Sequence, residues 1–167
     1  MDRTSPAEVR YTGSMNPRLW PIVLAATTAL LASCTSYTAP TLQVAETRVR
    51  EETSQGIVLD FTLDADNSNS ESLPLQSVRY TLYLNDEPVF TGYRSPEATL
   101  RRFGTQQITL PAVVPVDATH PRPTGTAEYR LEGTLEYLTP GEIAKILYDA
   151  EIQRPTVNFS KAGQIQL

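Results

Sequence analysis

The chain has 167 residues, 14 basic and 19 acidic side chains, a formal net charge of −5 and a single cysteine. This balance argues against a nucleic-acid partner, whose phosphates need a basic face. One cysteine excludes a disulfide framework and a thiolate metal site built within one chain. The length suits one domain around one core.

At the amino terminus, Asp2 and Glu8 are out of place in the leading end of an export signal, and Met15-Asn16-Pro17-Arg18 makes the better start. The apolar run from Leu19 to Leu31 is about 13 residues, too short to span a bilayer but long enough for the apolar centre of a secretory signal. Small Ala32 and Ser33 follow, then Cys34. Leu31-Ala32-Ser33-Cys34 resembles the lipobox of bacterial lipoproteins. That resemblance implies a diacylglycerol on the Cys34 thiol, cleavage before it, and a membrane partner held through the lipid. An uncleaved membrane helix is the weaker alternative, because Thr27, Thr28 and Ser33 interrupt the apolar run. Residues 1–33 are thus expected to be signal, 34–41 a lipidated tether and 42–167 the folded domain. Loss of residues 1–33 leaves eleven basic and seventeen acidic side chains, a net charge near −6 that repels nucleic acid and anionic headgroups.

Beyond the tether, alternation with period two dominates. Ile57, Leu59, Phe61, Leu63 and Ala65 fall on one face and Val58, Asp60, Thr62 and Asp64 on the other, the pattern of a half-buried strand. Val78, Tyr80, Leu82 and Leu84 repeat it, as do Tyr129, Leu131, Gly133, Leu135 and Tyr137. Further strands are predicted near Leu42–Val49, Pro88–Tyr93, Gln106–Val114 and Thr156–Leu167. Asn67-Ser68-Asn69-Ser70, Asn85-Asp86 and Phe103-Gly104-Thr105 supply turns. About seven short strands with one polar face each predict an all-β, antiparallel two-sheet sandwich. The Pro-rich stretch Pro115–Thr126, with His120, reads as a crossover loop. Arg101-Arg102, the only adjacent basic pair in the mature chain, reads as a solvated turn or strand edge.

One helix is predicted over Pro140–Asp149. Thr139 would cap it, Pro140 would open it, and Glu142 would complete a capping box. Ile143, Ile146 and Leu147 form an apolar stripe at spacings of three and four, expected to face the core.

The order of elements in Gly56–Val114 is similar to that of the type 2 late embryogenesis abundant (LEA) family, which contains the water stress and hypersensitive response (WHy) domain. The resemblance is carried by Ile57–Leu63, the Asn-rich turn, Leu73-Pro74-Leu75, Val78–Asn85, Phe90-Thr91-Gly92 and the closing Gly163-Gln164-Ile165-Gln166-Leu167. Ser68 replaces the family's turn proline. The resemblance implies a fibronectin III-like or immunoglobulin-like sandwich and a non-enzymatic role in stress (desiccation) protection or binding. It supplies no catalytic residues to carry over.

The residues point to no chemistry of their own. Asp60, Asp64, Asp66 and Asn67 form an acidic cluster, but it lacks the glycine and distal glutamate of an EF-hand loop, and Asp60 and Asp64 are expected on a solvent face. His120 has no recognisable base or orienting partner, and no serine lies in a Gly-x-Ser-x-Gly frame. The expectation is therefore no catalytic, cofactor-binding or metal residue, with Cys34 as the lipidation site, and no small-molecule substrate identified. The leading reading is a membrane-anchored envelope lipoprotein with a stress-protective or interaction domain, on the outer membrane's periplasmic face if the source is Gram-negative. Thr35 after the cysteine favours that sorting. The alternative is an assembly lipoprotein that docks on a protein partner in a larger envelope complex through a sheet edge.

Overall fold

Strict alternation of apolar and polar residues makes each strand two-faced, so the apolar faces are hidden only when two sheets stack. A computed structural model describes residues 37–167, which form one compact unit. Its elements are β1 (Thr41–Glu52), β2 (Gly56–Asn67), β3 (Leu73–Leu84), β4 (Glu87–Arg94), β5 (Thr99–Leu100), β6 (Gly104–Pro115), β7 (Thr126–Tyr137), α1 (Glu142–Asp149) and β8 (Thr156–Gln166). One sheet has the order β1-β2-β6 and the other β4-β3-β7-β8, with short β5 paired to the start of β3. All strand pairings are antiparallel. The expected two-sheet all-β sandwich is therefore the observed fold.

Leu59, Phe61 and Leu63 from β2 meet Val78, Tyr80 and Leu82 from β3 and Leu131 and Leu135 from β7, all buried. Full burial of each such side chain is worth about 1.5–3 kcal/mol. Two tyrosines tie the sheets together on opposite flanks. The Tyr80 hydroxyl donates to the carbonyl of Pro111 on β6, and the Tyr129 hydroxyl lies 3.1 Å from Thr47 Oγ1 on β1. In β3, Leu73 and Leu75 are buried and then Val78, Tyr80 and Leu82, a change of phase absorbed by a register shift between Leu75 and Ser77.

The structure corrects four expectations. The helix starts at Glu142 with Gly141 as its cap at φ 113°, and no side chain caps it, so the Thr139 capping box does not form. A residue with a Cβ rarely adopts that backbone angle, which is why glycine ends the approach to the helix. Ile143 and Ile146 are 74% and 64% exposed, so the stripe does not pack on the core. Asp60 is only 3% exposed: it sits on the central strand of its sheet, under Arg48 and Arg50 of β1. His120 does have a partner, Asp117 Oδ1 at 3.1 Å from Nδ1.

Candidate functional site

Cys34 lies outside the described residues, so the candidate site is built from the end of the sandwich where the chain enters the domain. β1 starts there, opposite the end of β2, with Thr41 paired to Asp66. β6 starts there too, with Gly104 paired to Asn67. In the second sheet β3 starts at this end, β7 finishes and β8 begins, as the pairs Leu75–Tyr137 and Glu136–Thr156 require. Four features therefore share this end: the chain entering at Tyr37, the β2–β3 turn, the β5–β6 turn, and the 138–155 connection that carries α1.

The Asn-rich turn knots these features together. The Asn67 side chain is fully buried and donates to the carbonyls of Glu71 (2.8 Å) and Arg101 (3.1 Å). Its Oδ1 accepts from the backbone N–H and side chain of Asn69, at 3.0 and 2.8 Å. Asn69 in turn holds the incoming chain at Thr38: the Thr38 N–H donates to Oδ1 (2.9 Å) and Nδ2 donates to the Thr38 carbonyl (2.8 Å). The Phe103 N–H donates to the Asn69 carbonyl, which fixes the β5–β6 turn. Phe103 adopts φ 46° and its ring is 71% exposed. The sequence marks a turn here, but single residues cannot reveal that Asn67 and Asn69 join three loops.

The 138–155 connection is anchored by polar groups rather than by its apolar stripe. The Tyr148 hydroxyl donates to Glu136 Oε1 on the outer face of β7, and Arg154 stacks over the Tyr148 ring at 5.3 Å. Burial, then the Glu136 carboxylate, pushes the Tyr148 phenol up to about 12. Lys145 pairs with Asp149 and Arg154 with Glu151.

The acidic cluster is committed to structural contacts. Asp64 accepts from Gln107 (3.0 Å), Asp66 from Thr105 (2.9 Å), and Asp60 pairs with Arg48 (3.5 Å) and Arg50 (3.2 Å). Among the described residues no group of three or more His, Cys, Asp or Glu side chains is placed to hold a metal ion. Asp117 and His120 lie in the exposed β6–β7 loop. Hydrogen bonds from the backbone N–H groups of His120 and Thr119 hold the Asp117 carboxyl below the usual range. A groove between β4 and β6 is flanked by Arg50 and Arg94, but Arg94 is engaged with the Thr109 carbonyl and Arg50 with Asp60.

The sandwich's residues 62–145 match the LEA_2 model of late embryogenesis abundant proteins. The chain belongs to the LEA_2 family. No curated protein matches the sequence significantly. Solved structures share the fold. The solution structure of an Arabidopsis thaliana protein matches with a TM-score of 0.59 at 16% identity, covering 81% of this chain and 87% of that one. That of a late embryogenesis abundant protein gives 0.58 at 17%, covering 90% and 86%. A crystal structure from Archaeoglobus fulgidus gives 0.52 at 9%, covering 76% and 98%. The LEA_2 match spans β3, β4, β5, β6 and β7, and so includes Asn67, Asn69 and Phe103.

Proposed function

We propose that this LEA_2 protein is an exported lipoprotein, anchored through Cys34, whose non-catalytic WHy-like sandwich serves stress protection at the cell envelope. The observation that carries the reading is the place of Cys34: it follows an apolar run and two small residues, and stands four positions before Thr38, which Asn69 holds to the sandwich. A signal processed at that point leaves a lipid on the chain with only a brief tether before the fold. Each buried acyl methylene contributes about 0.8 kcal/mol, so two or more long chains hold the protein on the membrane. Thr35 directs it to the outer membrane in a Gram-negative source.

Replacing Cys34 by serine should abolish metabolic labelling with palmitate and release the protein from the membrane fraction. A labelled Cys34→Ser protein would refute the anchor. The stress role is tested separately, by survival of drying in cells that carry or lack the protein.

Sheet-edge docking on a protein partner is the second reading, and β8 favours it. The β1 edge has two register shifts, β4 contains Pro88, and β6 contains Pro111 and Pro115, all devices that blunt edge pairing. β8 is an edge of eleven residues in unbroken register with no proline, and Lys161 is its one charged residue. A stoichiometric partner in detergent-solubilised envelopes, lost on a proline substitution in β8 that leaves the fold intact, would establish it.

A further inference from the structure

Exposed apolar side chains are unevenly placed on this domain. Among the described residues six large hydrophobics are exposed, and four of them, Phe103, Ile143, Ile146 and Ile152, lie in the β5–β6 turn and the 138–155 connection. Both loops leave the sandwich at the end where the chain enters. The opposite end, formed by the β1–β2, β3–β4 and β6–β7 connections, carries none of the six. Arg101 and Arg102, also exposed, stand beside Phe103 and have no ion-pair partner among the described residues.

We propose that this end seats on the lipid surface, with Phe103, Ile143, Ile146 and Ile152 entering the boundary between headgroups and acyl chains and Arg101 and Arg102 meeting anionic headgroups. The proposal rests on the lipid anchor at Cys34. Thr38 is fixed to Asn69, and four chain steps separate it from Cys34, so the Asn67–Asn69 turn at this end stays within about 14 Å of the lipidated residue. A domain held that close keeps its tether end beside the membrane. Side chains exposed by more than half there meet lipid more often than water-borne partners. Apolar and aromatic side chains flanked by arginine suit an interfacial site, where the apolar body is buried and the charge stays with the headgroups. Glu71, Glu97, Glu142, Asp149 and Glu151 share this end, the last two paired with Lys145 and Arg154, so the attraction to anionic lipid comes from the β5–β6 turn alone and the apolar side chains supply most of the seating.

Fluorescence from single tryptophans tests the proposal, since Trp20 is the chain's only tryptophan and lies in the signal. Full-length Phe103→Trp, Ile146→Trp and His120→Trp are expressed with the lipidation machinery, purified, checked by intact mass and reconstituted into phosphatidylethanolamine–phosphatidylglycerol vesicles. With brominated acyl chains, the tryptophans at 103 and 146 should be quenched several-fold more than the one at 120, which sits in the loop at the far end. Equal quenching at the three positions overturns the seating and leaves the anchor standing. Blue-shifted emission at 103 and 146 without quenching overturns it in favour of a protein cover. An intact mass showing an unmodified Cys34 removes the anchor, and the seating with it.

Discussion

The Phe159 ring occupies the space that a side chain at Gly133 would need: a methyl group there would stand 2.3 Å from Cζ. The two residues are directly paired between β8 and β7, and Gly133 is paired on its other side with Tyr80, itself paired with Gly92. Glycine and aromatic residues thus alternate across β4, β3, β7 and β8 of one sheet. The Tyr80 ring would likewise lie 2.6 Å from a methyl at Gly92. Each missing side chain makes room for a ring, and the ring covers backbone that glycine leaves bare.

Gly133→Ala should destabilise the domain by about 1–3 kcal/mol, the usual cost of overpacking a filled core. In a Phe159→Ala background the same substitution should cost clearly less, because the nearest obstacle is gone, although the Arg79 carbonyl at 2.8 Å keeps the remainder. Urea denaturation of the two single variants and the double variant measures the coupling, and strict additivity would reject the ladder as an energetic unit.

Leu131 and Glu132 are neighbours on opposite faces of β7. Leu131 is fully buried, whereas the Glu132 side chain is 45% exposed and paired with Arg130. Leu131→Ala should cost about 2–5 kcal/mol and Glu132→Ala about 0.5 kcal/mol or less. Equal losses in thermal or chemical melts would contradict the strand register.

Period-two alternation was enough to place Leu131 inward and to give the sheet architecture, because burying one face of each strand leaves few arrangements. It failed where the environment depends on side chains from another strand. Asp60 alternates with apolar residues and so reads as solvated, yet Arg48 and Arg50 close over it from β1. The amphipathic stripe of α1 reads as core-facing because periodicity reports an apolar face without reporting what covers it. The loop knot at Asn67 and Asn69 joins residues more than 30 positions apart, a separation at which sequence spacing carries no signal.

Asn67→Ala should be among the most damaging polar substitutions in this domain. It removes a fully buried amide, leaves the part-buried carbonyls of Glu71 and Arg101 without their donor and frees Asn69, so a loss of about 1–3 kcal/mol is expected. The loosening should also be local. Hydrogen exchange at the Thr38 and Phe103 amides should accelerate more than at Leu131, and uniform acceleration would argue against the knot.

At α1, Thr139→Ala should change stability by about 0.5 kcal/mol or less, since the threonine makes no capping bond, whereas Gly141→Ala should destabilise the helix because φ 113° strains any residue with a Cβ. Circular dichroism melts of the two variants decide the matter: a larger loss at Thr139 than at Gly141 would restore the capping box.

The last prediction concerns alkaline pH. The Tyr148 phenol is pushed up to about 12 in the folded domain by burial and by its hydrogen bond to Glu136, against an ordinary value of 10.0. Below pH 10 the phenol is neutral in both folded and unfolded chains, so it adds no pH dependence there. Between about pH 10 and 12 the unfolded chain loses the proton while the folded chain keeps it, so stability falls as pH rises through that window. Glu136→Gln removes the neighbouring carboxylate, so the phenol should ionise at lower pH. Ultraviolet titration of the phenolate signal, with Tyr148→Phe identifying the contribution of this one ring, follows the shift directly. An unchanged Tyr148 titration in Glu136→Gln would show that burial alone sets its pKa.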